Sequence, residues 1–138
     1  MSPRRPLLHA ARIADIVLFY PALLLVIWGE LAGPDPQVLR LLSGFNDKLL
    51  HFLAYFALAA MAAAAFRERR PVFFAGVALM VLGGVLEILQ GFTGREVSVY
   101  DEIANVAGVL VGGFGARAIV EPLQRRSAPP FESTRAGG

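Results

Sequence analysis

The sequence predicts an all-α integral membrane protein, a bundle of four transmembrane helices with both termini in the cytoplasm. Three observations lead there. The chain has 138 residues, of which 56% are hydrophobic and only 17% charged, whereas soluble domains carry about 25% charged residues. Its apolar residues gather into long runs, giving a mean hydropathy of +0.57. The Arg residues flank those runs and concentrate in alternate connections.

The first run covers residues 13–32 (IADIVLFYPALLLVIWGELA). Its basic start (Arg4, Arg5, Arg12) leaves a cleaved signal peptide as an alternative. A retained helix is favoured, because no Ala-x-Ala site follows the apolar core and the run is long enough to span. Pro21 falls inside it, where a bundle tolerates a kink. The second run is 49–66 (LLHFLAYFALAAMAAAAF), the third 72–90 (VFFAGVALMVLGGVLEILQ) and the fourth 103–120 (IANVAGVLVGGFGARAIV). Each is about 18–20 residues, against the ~20 needed to cross ~30 Å of hydrocarbon. Lipid offers no partner for open backbone groups, so such runs must be helical.

Arg and Lys orient the bundle. Arg4, Arg5 and Arg12 precede the first run, Arg67, Arg69 and Arg70 lie between the second and third, and Arg117, Arg125, Arg126 and Arg135 lie at or beyond the end of the fourth. The other two connections hold only Arg40, Lys48 and Arg95. The positive-inside rule therefore places both termini and the RERR loop in the cytoplasm. One domain is expected over residues 1–126. The Pro-, Ser- and Gly-rich tail 127–138 is expected to be a disordered cytoplasmic segment. The pI of 9.5 follows from these flanking Arg residues, so it points to membrane orientation and not to nucleic acid. Cys is absent, which excludes disulfides and thiolate metal sites.

The polar residues can be placed by depth. Asp47, His51 and Tyr55 recur at i, i+4 and i+8, on one face of the second helix. His51 lies about 6 Å below Asp47. Glu87 is about 22 Å above the start of the third run, in its outer quarter, with Gln90 on the same face. Asn105 lies one turn inside Asp101 on the fourth helix. His51, Glu87 and Asn105 thus share one depth on three helices, with Asp47, Lys48, Gln90, Arg95, Ser98 and Asp101 continuing outward. Gly108 and Gly112 form a G-x-x-x-G pair on the face of Asp101 and Asn105, and Gly115 extends the stripe. The third helix offers Gly83 and Gly84, with Gly84 beside Glu87 by helical spacing, and Ala57 and the Ala62–Ala65 run offer small residues on the second helix. Small residues let membrane helices approach closely, which would bury the polar groups against one another.

These residues carry a resemblance. The pattern Asp47-Lys48-x-x-His51-Phe52-x-x-Tyr55, Glu87-x-x-Gln90, Gly94-Arg95, Ser98, Asp101, Asn105 and Gly108 resembles the VanZ-like family in order and spacing. It covers roughly half the chain, from about Asn46 to Gly112. Thr93 departs from it where Pro is expected before the Gly-Arg pair, which affects the loop shape. The resemblance implies a small bacterial protein of the cytoplasmic membrane, concerned with the cell envelope. The founding member's link to teicoplanin resistance suggests glycopeptide tolerance. No reaction is implied, because the family has no established biochemical mechanism.

Each residue also has a plainer role open to it. Asp47 and the Asp101-Glu102 pair suit helix starts, where acids complement the helix dipole. Asn105 suits a hydrogen bond across to a neighbouring helix. His51 suits packing against Glu87. Arg95 suits either a pair with Asp101 or an anion. Asp15 and Glu30, near the ends of the first helix, are expected to reach water, and Trp28 and Tyr20 suit interface anchoring. Glu87 most needs a functional reason, because a carboxylate in hydrocarbon requires a partner or a proton.

Three classes of function remain open beside a purely structural or assembly role. In the first, the outer-face site binds the phosphate or carboxylate of an anionic lipid or lipid-linked cell-wall precursor, through Arg95, Lys48 and His51 as donors. Asp47, Glu87 and Asp101 would orient them, with Tyr55, Gln90, Ser98 and Asn105 completing the site. In the second, His51 with Glu87 or Asp101 works as an acid–base pair, or these carboxylates and His51 hold a divalent cation. No H-E-x-x-H, G-x-S-x-G or P-loop is present to support an enzyme. In the third, Glu87 and His51 carry protons, although the inner halves of the last three helices offer few polar groups to continue the path. The first reading is favoured, with no cofactor and no resident metal expected. The lipid bilayer is the expected partner, and oligomer formation is open.

Overall fold

A computed structural model describes residues 4–32, 46–66, 68–92 and 97–126. Within them the chain is all-helical: α1 Arg4–Leu31, α2 Asp47–Ala65, α3 Arg69–Phe92 and α4 Val99–Arg126. All four have the length and apolar composition to cross a membrane. They correspond to the four apolar runs, and each extends beyond its run at one end or both. Charged flanks such as Arg69-Arg70 and Arg125-Arg126 continue the helices because Arg is a good helix former. Arg95 and the expected disordered tail 127–138 lie outside the described residues.

Local chemistry fixes the helix ends. Asn46 caps α2, its side-chain oxygen accepting from the Lys48 amide at 3.0 Å. The carbonyl of Ser98 accepts from the amides of Asp101 and Glu102 to open α4, whose first turn is acidic as the helix dipole favours. Past the end of α2, the carbonyl of Phe66 accepts from Arg117 Nη1 at 3.0 Å. Arg117 and Arg69 both reach Glu121, so ion pairs tie that end together.

The dominant helix contact is α2 against α4. They run in the same direction: Lys48 faces Asp101, His51 faces Asn105 and Phe66 faces Arg117. α3 runs back against both of them, and α1 packs on α2 and, less extensively, on α3. The core is small, with Tyr55, Leu58, Ala59, Leu79 and Val109 at its centre and Phe19, Leu23 and Val26 of α1 against it. Large apolar side chains such as Leu24, Phe74, Phe92 and Phe114 are exposed instead. A water-soluble domain rarely exposes so much contiguous apolar surface, whereas lipid covers such surface without cost.

Glycine sets the α2–α4 distance. A Cβ on Gly108 would strike the backbone of Phe52 and Phe56, and one on Gly112 the backbone of Phe56. The expected stripe is therefore a contact face at these two positions. It ends there, for Gly115 faces open space. One small-residue expectation is corrected. Ala57 is exposed, and the buried alanines of α2 are Ala59, Ala62, Ala63 and Ala65. On α3 the tight position is Gly83: a Cβ there would meet Glu102 at 2.7 Å and Asn105 at 3.0 Å, while at Gly84 the nearest atom is 3.8 Å away. Adjacent helical positions point about 100° apart, so a one-residue shift moves the contact to another face.

Candidate functional site

The polar residues collect at the end of the bundle where α2 and α4 begin and α1 and α3 finish. α2 supplies Asp47, exposed at its first position, then His51 and Tyr55, both buried, with His51 turned to α4 and the Tyr55 ring beside Gly83 of α3. α4 supplies Asp101, 5% exposed, and Asn105, fully buried. α3 supplies Glu87 and Gln90, both buried. The expected convergence of three helices is present, and α1 joins as a fourth.

His51 sits at the centre. Its Nδ1 lies 3.1 Å from Asn105 Oδ1. An amide oxygen can only accept, so Nδ1 carries the proton and donates. In the neutral ring Nε2 is then the nitrogen with the lone pair. Asn105 uses its other end to donate from Nδ2 to Glu102 Oε2 at 3.2 Å, which fixes the amide orientation. Glu30 Oε1 stands 3.6 Å from the same His51 nitrogen. A bond from His51 to Glu87 was one reading of the sequence; the structure sets Asn105 and Glu30 beside this nitrogen. Glu87 turns toward the start of α4, where its Oε1 accepts from the Ser98 amide.

Glu30 is the larger correction. It was expected to reach water but is 7% exposed. Its position at the end of an apolar run left both outcomes open, and packing of α1 on α2 and α3 decided between them. Its backbone carbonyl accepts from Gln90 Nε2 at 3.1 Å, so Gln90 ties α3 to α1. Glu102 was read only as a dipole partner. Its i, i+3 spacing to Asn105 was the available signal for its contact with that side chain. Asp101 pairs with Lys48, Nζ to Oδ1 3.4 Å. Ser98 contributes its backbone and is half-buried. Asp15 is partly buried, while Tyr20 and Trp28 are exposed with the other large apolar side chains.

The electrostatics are one-sided. Five carboxylates, Glu30, Asp47, Glu87, Asp101 and Glu102, gather here, and Lys48 stands against Asp101 and the titratable His51 against Glu30. Tyr55 Oη, Glu87 Oε2 and Asp101 Oδ1 are buried without a hydrogen-bond partner. Such groups are costly where the dielectric is low. Asp47, His51 and Asp101 also place ligand atoms within 4.8 Å of one another.

A separate groove of about 570 Å³ lies toward the other end, between α3 and α4. Val77, Met80, Val109 and Phe114 line it, with Arg69, Arg117 and Glu121 at its edge. The edge groups are held in their own ion pairs, so the groove offers mainly apolar surface and none of the residues of the polar cluster at the other end. No family model, curated protein or solved structure matches this chain.

Proposed function

We propose that this chain is a VanZ-like membrane protein of the bacterial cytoplasmic membrane. Its polar end opens at the extracytoplasmic face and binds the anionic group of a lipid or lipid-linked cell-envelope precursor, with glycopeptide tolerance as the physiological setting. One observation carries this reading: all four helices bring buried polar side chains to one end of an otherwise apolar bundle. Polar groups in membrane spans cost stability and mark ligand or ion sites. The placement of Arg residues at the opposite end supports the orientation. Lys48 stands at the rim, and Arg95 follows α3 in sequence. The test is capture of a polyprenyl phosphate or phosphatidylglycerol by purified protein. Arg95→Ala is expected to lower capture while helix content is kept; undiminished capture would count against the reading.

A second reading has one specific observation behind it. His51 is held by Asn105 through Nδ1, the arrangement in which a neighbouring group orients an imidazole for acid–base work. In a membrane-embedded enzyme Nε2 would act on a lipid-linked substrate. Turnover of such a substrate by the wild type, abolished in His51→Gln, would move this reading to first place.

A further inference from the structure

We propose that Asp47, His51 and Asp101 form a binding site for a divalent transition-metal ion, of the Mn²⁺ or Zn²⁺ kind. The proposal departs from the sequence expectation of no resident metal. It stands on side-chain geometry and charge, and it holds whether or not an anionic headgroup binds.

The three residues come from two helices locked in register. Gly108 and Gly112 seat α4 on the α2 backbone, which brings Asp101 level with the first turn of α2. One ring nitrogen of His51 and one carboxylate oxygen of each aspartate then lie within 4.8 Å of one another. In a closed site with bonds of ~2.0–2.2 Å, ligand atoms stand about 3–3.5 Å apart. Asp47 is exposed at the helix start, so its side chain can move toward an ion.

His51 is prepared as a ligand. Metal-bound histidines almost always donate their other ring N–H to an oxygen, which fixes tautomer and ring orientation. Here Nδ1 donates to Asn105 Oδ1, with Glu30 Oε1 at 3.6 Å. The lone pair is left on Nε2.

A second, independent observation points to a cation. Asp101 is 5% exposed, and its buried Oδ1 makes no hydrogen bond. What faces it is the ammonium of Lys48 at 3.4 Å, on a side chain 49% exposed. A flexible, half-exposed lysine can withdraw and leave its position to an ion. The surrounding carboxylates Glu30, Glu87 and Glu102 increase the demand for positive charge. One imidazole with two carboxylates suits Mn²⁺ or Zn²⁺ better than an all-oxygen Ca²⁺ cage. Three protein ligands leave a position open for water or an anionic oxygen.

The experiment uses the full chain, purified in mild detergent and stripped with EDTA. Mn²⁺ is titrated and followed by electron paramagnetic resonance, and Zn²⁺ retained after desalting is counted by mass spectrometry. The wild type is expected to hold one ion per chain and to melt at a higher temperature with it. Loss of an outer-shell partner typically costs ~10–100-fold in metal affinity. Asp47→Asn and His51→Gln, which each remove a ligand, are therefore expected to weaken binding by at least about tenfold. Asp47 is exposed, so Asp47→Asn serves as the variant that keeps the fold, checked by its melting temperature without metal. Lys48→Met is expected to tighten binding, because it removes the competing cation. A wild type that takes up neither ion at millimolar concentration overturns the proposal. So does uptake that is equal in the wild type, Asp47→Asn and His51→Gln, which would mark an adventitious ion only.

Discussion

Asn105 joins the two halves of the polar end. It is fully buried, accepts from His51 and donates to Glu102. Asn105→Ala would leave both neighbours without those contacts and open a small void. Helix–helix hydrogen bonds in membranes average about 0.6 kcal/mol and reach about 1.7, and a stranded polar group adds about 1–3 kcal/mol. Asn105→Ala is therefore expected to cost about 1–3 kcal/mol in detergent unfolding, and a loss below a few tenths would remove Asn105 from this role. Much at this scale was legible in sequence. Asp47, His51, Tyr55, Glu87, Asp101 and Asn105 stand out because polar groups within apolar runs are expensive, and helical spacing put them on shared faces. Partner identity was less legible. Glu30 and Glu102 entered the network through tertiary packing, and equal depth for His51 and Glu87 carried no information on which way each side chain turns.

At the scale of the helix, α4 separates contact glycines from free ones. Gly108 and Gly112 sit against the backbone of Phe52 and Phe56, which cannot move aside as a side chain would. Gly113 and Gly115 have nothing within 4 Å. Overpacking costs about 1–3 kcal/mol, whereas Gly→Ala in an open helical position gains up to about 1 kcal/mol. Gly108→Ala and Gly112→Ala are expected to lower the melting temperature, and Gly113→Ala and Gly115→Ala to hold or raise it. Equal effects at all four positions would contradict the α2–α4 packing. Periodicity and length made the existence of the helices readable, and the G-x-x-x-G pair marked the contact face. The ends were less readable, because hydropathy fades where Arg continues a helix. The choice between Gly83 and Gly84 depended on helix rotation, which spacing alone does not fix.

At the scale of the whole molecule, the chain divides charge between its two ends. Carboxylates and His51 gather where α2 and α4 begin, and Arg69, Arg117 and Glu121 tie the other end. With the Arg-rich end inward, a single Cys at Ser43 should react with a membrane-impermeant maleimide in intact cells. One at Ser127 should react only after permeabilisation. The wild type carries no Cys, so the chain itself adds no background label, and the reverse pattern would invert the topology. The most direct test of a ligand site at the polar end is native mass spectrometry of the protein released from nanodiscs containing anionic lipid and polyprenyl phosphate, wild type beside His51→Gln and Arg95→Ala. The expected result is a stoichiometric anionic adduct on the wild type that is lost or sharply reduced in both variants. A bare wild type, or the same adduct at the same occupancy in all three, would contradict a ligand site and leave the polar cluster as the contact that holds four helices together.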